Sequence, residues 1–237
     1  MQVDVFGEAI RDYHKSGSDE RILTFSSLEE EDSFPVSYLF RSYNDMPDLE
    51  KEALNLCKGR VLDVGCGAGS HSLYLCSKGF EVTAIDISPG AVEVCRTRGI
   101  PEVEQADFWT YEGDGFDTLL LLMNGIGIVG HLSRLAAFFE KARELLSPSG
   151  QILFDSSDII YMYDETEDGG FLIPAEKSYY GEVTFEVQYK TLKSAPFPWL
   201  YVDFETLSRA ALINGFSCEL VRKGDHYDYL AKLTVQA

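Results

Sequence analysis

Basic side chains are scarce in this 237-residue chain: 20 lysines and arginines stand against 39 aspartates and glutamates, for a net charge of −19. Proteins that grip phosphate backbones need clustered Lys and Arg to displace counterions, so no nucleic-acid partner is expected. The nearest approach to a basic patch, Lys190 to Lys193, is short and embedded in a strand-like stretch. Apolar runs of the ~18 residues that a membrane span needs are also lacking. Met1-Gln2-Val3-Asp4 has no basic region leading into an apolar stretch, and the expectation is a cytoplasmic protein without membrane contact. Cysteine is sparse as well. Cys57, Cys66, Cys76, Cys95 and Cys218 form no CxxC pair and are odd in number, which implies no zinc site and suits free thiols in a reducing compartment.

What the chain does contain is the run Val61-Leu62-Asp63-Val64-Gly65-Cys66-Gly67-Ala68-Gly69-Ser70. It reads as a buried strand, a glycine turn and the start of a helix reaching to about Lys78. Gly65 and Gly67 lack a Cβ, so the backbone there can take positive φ and approach a ligand closely. The helix that follows presents unpaired N–H groups at its first turn, which favour a polar or anionic group. Cys66 packs under this turn in the simplest reading.

The next strand, Glu81 to Asp86, ends in a carboxylate 86 − 65 = 21 residues past the first glycine. An acid at that spacing is placed to accept hydrogen bonds from ribose hydroxyls. Capping of the following helix competes for the same residue, although Ser88-Pro89 is the better helix start. Glycines at 65, 67 and 69 depart from the dinucleotide fingerprint, which disfavours a nicotinamide cofactor.

Leu62-Asp63-Val64-Gly65-Cys66-Gly67-Ala68-Gly69 resembles the first motif of the class I S-adenosylmethionine-dependent methyltransferases. Asp86-Ile87-Ser88 resembles their ribose-binding segment, and Ala106-Asp107-Phe108 the short motif that holds adenine. Phe116 to Asn124 is similar to their fourth strand, and Leu145 to Leu153 to their helix, turn and fifth strand. The resemblance implies S-adenosyl-L-methionine as cofactor and a methyl acceptor as substrate. It also implies an α/β, doubly wound, mostly parallel sheet with an antiparallel C-terminal strand. Strands near 60–64, 81–86, 102–106, 116–123 and 150–155 alternate with helices, as a parallel sheet with right-handed crossovers requires.

Outside that frame, residues 1–58 read as an N-terminal helical lid, with helices near Val3–Lys15 and Asp48–Cys57 around the acidic run Glu29 to Asp32. Residues 59–237 read as the cofactor-binding domain, with an insertion around 156–200 capping the substrate pocket. Within it, Glu182 to Tyr189 alternates as a half-exposed strand, and Pro196 and Pro198 break the pattern. Asp203 to Asn214, followed by Gly215, reads as a glycine-closed helix before two final strands.

The expected cofactor-binding residues are Arg41, Gly65, Cys66, Gly67, His71, Asp86, Ile87, Asp107, Phe108 and Asn124. For Arg41 the partner is the methionine carboxylate or one of the nearby acids, and for His71 contact with the cofactor's polar end competes with packing. In the family the acid matching Asp107 accepts from the adenine amino group, whereas Phe108 is as well explained as core. His131 is the candidate general base, since its ordinary pKa lies near neutrality, with helix opening as the rival role. The Asn/Asp-Pro-Pro-Tyr motif of many nitrogen-methylating relatives is absent after the fourth strand, which weakens an exocyclic amine as acceptor. A small-molecule acceptor of neutral or cationic character is the expectation, with a non-catalytic binding protein as the alternative.

Overall fold

The computed structural model describes residues 3–236. The chain opens with helix α1 (Val5–Ser16), strands β1 (Arg21–Ser26) and β2 (Glu31–Pro35), and helix α2 (Asp48–Leu56). Strands and helices then alternate as β3 (Arg60–Val64), α3 (Ser70–Ser77), β4 (Glu81–Asp86), α4 (Pro89–Thr97) and β5 (Glu102–Gln105). β6 (Phe116–Leu121), α5 (Leu135–Leu145) and β7 (Leu146–Ser157) complete the alternation. The last third holds β8 (Glu182–Tyr189), the short β9 (Leu192–Lys193), β10 (Phe197–Leu200), α6 (Phe204–Ile213), β11 (Phe216–Lys223) and β12 (Asp228–Val235).

Seven strands form the main sheet in the order β11-β12-β7-β6-β3-β4-β5. The five strands from β7 to β5 pair in parallel, and β12 enters antiparallel between β7 and β11. Side chains alternate across it. Leu62, Leu119, Leu121, Ile152 and Phe154 share one apolar cluster, while Val61, Leu120, Leu153 and Leu230 share another. A sheet buried on both faces needs apolar residues at every position, which is why β3, β6 and β7 read as near-continuous hydrophobic runs. From β3 the chain winds to β4 and β5 on one side and returns to β6 on the other. That reversal creates a crevice at the carboxyl ends of β3 and β6, where ligands of doubly wound sheets bind.

The two expected N-terminal helices are present, but between them lies the β1–β2 hairpin, so residues 1–58 are not a purely helical lid. Its strands extend a second, antiparallel sheet, β10-β8-β1-β2, with β9 attached to β8. The N-terminal segment and the insertion are therefore one structural unit. Pro198 does not end the strand pattern as expected but lies within β10, at the sheet edge, where a missing N–H costs nothing. Lys190 and Lys193 flank the β8–β9 turn, with Lys190 at φ 52°.

This second sheet is braced at two points. Val5 and Ala9 of α1 pack with Ile22, Val187 and Tyr189 beneath it. α1 in turn lies on α4, where Asp4 accepts the Gly90 N–H at 3.0 Å and Arg11 pairs with Glu93 at 2.7 Å. At the other end Trp199 of β10 covers Gly127, in the 3₁₀ turn Gly125–Val129 after β6, so closely that a Cβ on Gly127 would lie 2.0 Å from the indole Nε1. Gly127→Ala is expected to destabilise the protein by about 1–3 kcal/mol through overpacking. Combined with Trp199→Leu it should cost less than the sum of the two single changes, as measured by a double-mutant cycle in urea. Simple additivity would remove this contact as the brace.

Candidate functional site

The glycine turn folds as its residue types demand. Gly65 and Gly67 take φ of 74° and 54°, and an added Cβ at either would meet no atom within 4 Å. The turn is thus open on the side where side chains would project. Beneath it, Cys66 is buried with its sulfur 3.8 Å from that of Cys95, and Cys95 donates to the Gly67 carbonyl at 3.2 Å. Both thiols are free.

Asp86 closes the turn from the next strand. Its carboxylate accepts the Gly67 N–H and the Ser88 N–H, each at 2.8 Å. Burial pushes its carboxyl above the usual range, against the lowering effect of those two donors. Ser88 caps α4 by accepting the Ala91 N–H at 3.0 Å, which leaves Asp86 to organise the turn. Ile87 projects beyond it with 68% of its surface exposed. Asp107 is exposed after β5 and uses one oxygen on the Trp109 N–H at 3.0 Å, so its other oxygen is unengaged there. Phe108 is 4% exposed and packs on Phe138 at 5.4 Å between centroids, so its ring is core.

Arg41 and His71 meet at a residue the sequence reading passed over. Glu50 of α2, 4% exposed, takes Arg41 on one oxygen and His71 Nε2 on the other at 2.8 Å. Burial works to raise the Glu50 carboxyl, but the His71 and Arg41 partners overcome it and leave it below its ordinary value. Arg41 also donates to the Tyr38 carbonyl at 2.5 Å and stacks over the Tyr38 ring at 4.0 Å. The 3₁₀ turn that carries it is fixed to α3, where Ser70 donates to the Leu39 carbonyl at 2.8 Å and Tyr43 stacks on Tyr74 at 4.0 Å. A polar residue at a position that α2's periodicity makes buried was the available signal for Glu50.

The second missed residue is Asp155, near the carboxyl end of β7. Both its oxygens lie 2.9 Å from the Asn124 N–H. Met123 and Asn124 are held at φ of 64° and 54° in consecutive left-handed conformations, and this carboxylate fastens the turn they form. Burial pushes the Asp155 carboxyl up to about 6, Glu50 adds to that, and the Asn124 N–H opposes it. Asn124 donates its side-chain amide to the Leu200 carbonyl at 3.4 Å.

Among the described residues, two buried side-chain polar atoms have no partner: Arg41 Nε, a donor, and Asn124 Oδ1, an acceptor. Buried groups are rarely left so, and a ligand is one reason. His131 does not join this group. It is exposed at the start of the 3₁₀ turn Leu132–Arg134, with Nδ1 3.1 Å from Glu182, whose other oxygen accepts the Leu132 N–H at 2.8 Å. His131 precedes that turn without capping it by its own side chain, and Glu182 supplies the acceptor for the first N–H.

A protein-family profile described as a methyltransferase domain matches residues 61–150. The solved structure of an S-adenosylmethionine-dependent methyltransferase from Bacteroides fragilis, in complex with S-adenosyl-L-homocysteine, is 46% identical. It superposes with a TM-score of 0.92, over 100% of this chain and 98% of that one. The ubiquinone biosynthesis O-methyltransferase of Xanthomonas oryzae is 30% identical over 116 residues, 46% of this chain and 47% of that protein. The putative methyltransferase YqeM of Bacillus subtilis is 30% identical over 105 residues, 41% of this chain and 42% of that protein. The chain spans about half the length of the curated relatives it matches. Motif order, sheet topology and a relative alike from end to end agree: the chain belongs to the S-adenosylmethionine-dependent methyltransferase family.

Proposed function

We propose that the protein transfers a methyl group from S-adenosyl-L-methionine to a small-molecule acceptor by direct displacement. The observation that carries this is the pair of orphaned buried atoms at the crevice. One donor at Arg41 and one acceptor at Asn124 complement a carboxylate and an ammonium, the two charged ends of an α-amino acid. The open backbone at Gly65 and Gly67 and the exposed Ile87 side chain fit the rest of such a cofactor.

S-adenosylmethionine supplies a methyl already activated on a sulfonium. The chain's own residues bind and orient. Asp86, preset by two backbone donors, accepts from ribose hydroxyls, and the spare oxygen of Asp107 and the backbone of Phe108 serve the base. Arg41 Nε meets the methionine carboxylate, and Asn124 Oδ1 the ammonium. Cys66 and His71 act indirectly, the first by packing under the turn and the second by fixing Glu50. Residues 1–58 and the insertion around 156–200 together roof the remainder of 59–237. Alignment and exclusion of water by that roof carry most of the rate. A strongly acidic chain suits a neutral or cationic small molecule rather than nucleic acid. Its five free cysteines fit a cytoplasmic setting.

Calorimetric titration should show S-adenosylmethionine binding and no binding of NAD; folded protein that fails to bind S-adenosylmethionine at millimolar concentration would refute the proposal. Asp86→Ala should weaken that binding by about 1–3 kcal/mol, or roughly 5- to 150-fold.

Asp155 gives a stability test. Its folded carboxyl titrates at about 6 against an ordinary 3.8, so folding favours the protonated form. Stability is therefore lost as pH rises through that window and is regained on acidification. Asp155→Asn, neutral throughout, is expected to have a higher Tm than the parent near neutral pH, with the gain vanishing at a pH below both values. A gain independent of pH in thermal melts would show that Asp155 is not the group responsible.

A further inference from the structure

We propose that Asp4 is a positioning residue for cofactor binding: its carboxylate fastens α1 to the start of α4, the same helix end that Asp86 holds, and so fixes the ribose carboxylate relative to the second sheet. This rests on the reading of Asp86 as the ribose acceptor and adds a residue from outside the crevice to it.

Each N–H at the start of α4 has an acceptor, and the acceptors come from three parts of the chain. Asp86 takes the Ser88 N–H at 2.8 Å, Pro89 has none, Asp4 takes the Gly90 N–H at 3.0 Å, and the Ser88 hydroxyl takes the Ala91 N–H at 3.0 Å. Asp4 lies 86 residues before Gly90. Its other oxygen caps α1 by accepting the Gly7 N–H at 2.9 Å. A serine or asparagine would cap α1 as well. Only a carboxylate offers two separate acceptor oxygens, and both helix ends favour its charge. Burial raises the Asp86 carboxyl and the Asp4 charge adds to that, so the two acids oppose each other. Backbone donors at Gly7, Gly67, Ser88 and Gly90 hold the pair in place against this repulsion.

The helices meet backbone to backbone. A Cβ on Gly90 would lie 2.5 Å from the Gly7 Cα, and one on Gly7 would lie 2.5 Å from the Ser88 Oγ. Glycine weakens a helix relative to alanine, and at Gly7 that cost is offset by an approach no side chain would permit. Ile10 of α1 shares an apolar cluster with Ala68 of the glycine turn and with Ala91 and Val94 of α4. Val5 and Ala9 pack instead with Ile22, Val187 and Tyr189 of the second sheet. α1 therefore lies between that sheet and the cofactor turn. The Arg11 to Glu93 pair on the same two helices is exposed and contributes little.

The test follows S-adenosylhomocysteine binding to the full chain by calorimetry, and hydrogen exchange of the α1 amides with and without S-adenosylhomocysteine. If the parent does not bind, or Asp86→Ala binds as the parent does, the ribose reading falls and this inference with it. Once both controls hold, Asp4→Ser, which keeps the α1 cap and loses the bond to Gly90, should weaken binding threefold or more. Gly90→Ala should do the same although alanine is the better helix former, because its Cβ pushes α1 off α4. Coupling is reciprocal, so S-adenosylhomocysteine should slow α1 exchange in the parent and slow it less in both variants. Arg11→Gln, which removes only the exposed pair, should lose less affinity than either. Asp4→Ser binding within threefold of the parent, α1 exchange in the parent indifferent to S-adenosylhomocysteine, or an Arg11→Gln loss equal to that of Asp4→Ser would each overturn the proposal and leave the cofactor reading standing.

Discussion

The buried carboxylate of Glu50 is the constraint on which the architecture of the site depends. An ionised carboxylate removed from water survives only if its lone pairs are matched, and here the matches come from two other segments. Arg41 arrives from the 3₁₀ region after the hairpin and His71 from the first turn of α3, the helix that follows the glycine turn. The N-terminal segment is thereby tied to the cofactor side of the molecule by charge rather than by apolar area alone. Removing one partner would leave an uncompensated buried charge, a cost of roughly 3–5 kcal/mol. Arg41 is held by this network so that its remaining Nε proton has no use inside the protein.

The second sheet solves a related problem. β1 and β2 alone would make a marginal hairpin. They gain a third strand from β8 and a fourth from β10, some 160 residues later in the chain, and an apolar floor from α1. Because its strands come from both ends of the chain, the sheet cannot detach as a simple flap of either. Its two attachments, α1 on α4 and Trp199 on Gly127, lie on elements that border the crevice. The second sheet and the elements around the crevice are coupled through packing at close range.

How much of this was legible follows from how local each signal is. The parallel core was, because β3, β6 and β7 carry continuous apolar runs and the glycine turn and Asp86 sit at fixed spacings. Ser88 as the cap of α4 and Gly215 after α6 were equally readable, since capping is decided within four residues. The hairpin was not. Glu31-Asp32-Ser33-Phe34-Pro35 is polar and ends in proline, and it becomes a strand only because β1 offers it a partner. Glu50 and Asp155 were missed for the same reason. Periodicity placed Glu50 on the buried face of α2, but the partners of both acids, Arg41, His71 and the Asn124 N–H, are brought to them only by the fold. Conversely, His131 and the Phe108 ring had the right chemistry at the right sequence position, but tertiary packing sent one to the surface with Glu182 and the other into the core.

Glu50 and Asp155 lie within each other's field, and their environments push their carboxyls in opposite directions. Glu50 has an arginine and a histidine and is lowered; Asp155 has only backbone N–H groups, so burial prevails and it is raised. Two acids separated in this way take different roles. Glu50, 4% exposed and committed on both oxygens to partners within the protein, acts as a fastening. Asp155 keeps lone pairs beyond those its backbone donor occupies. Its charge at neutral pH is a cost to folding that apolar packing or a neutral side chain would avoid. The Glu50 charge makes that cost larger, since each acid opposes ionisation of the other. The fold carries that expense at one position because the carboxylate fastens the turn of two consecutive left-handed residues, Met123 and Asn124, by holding the Asn124 N–H.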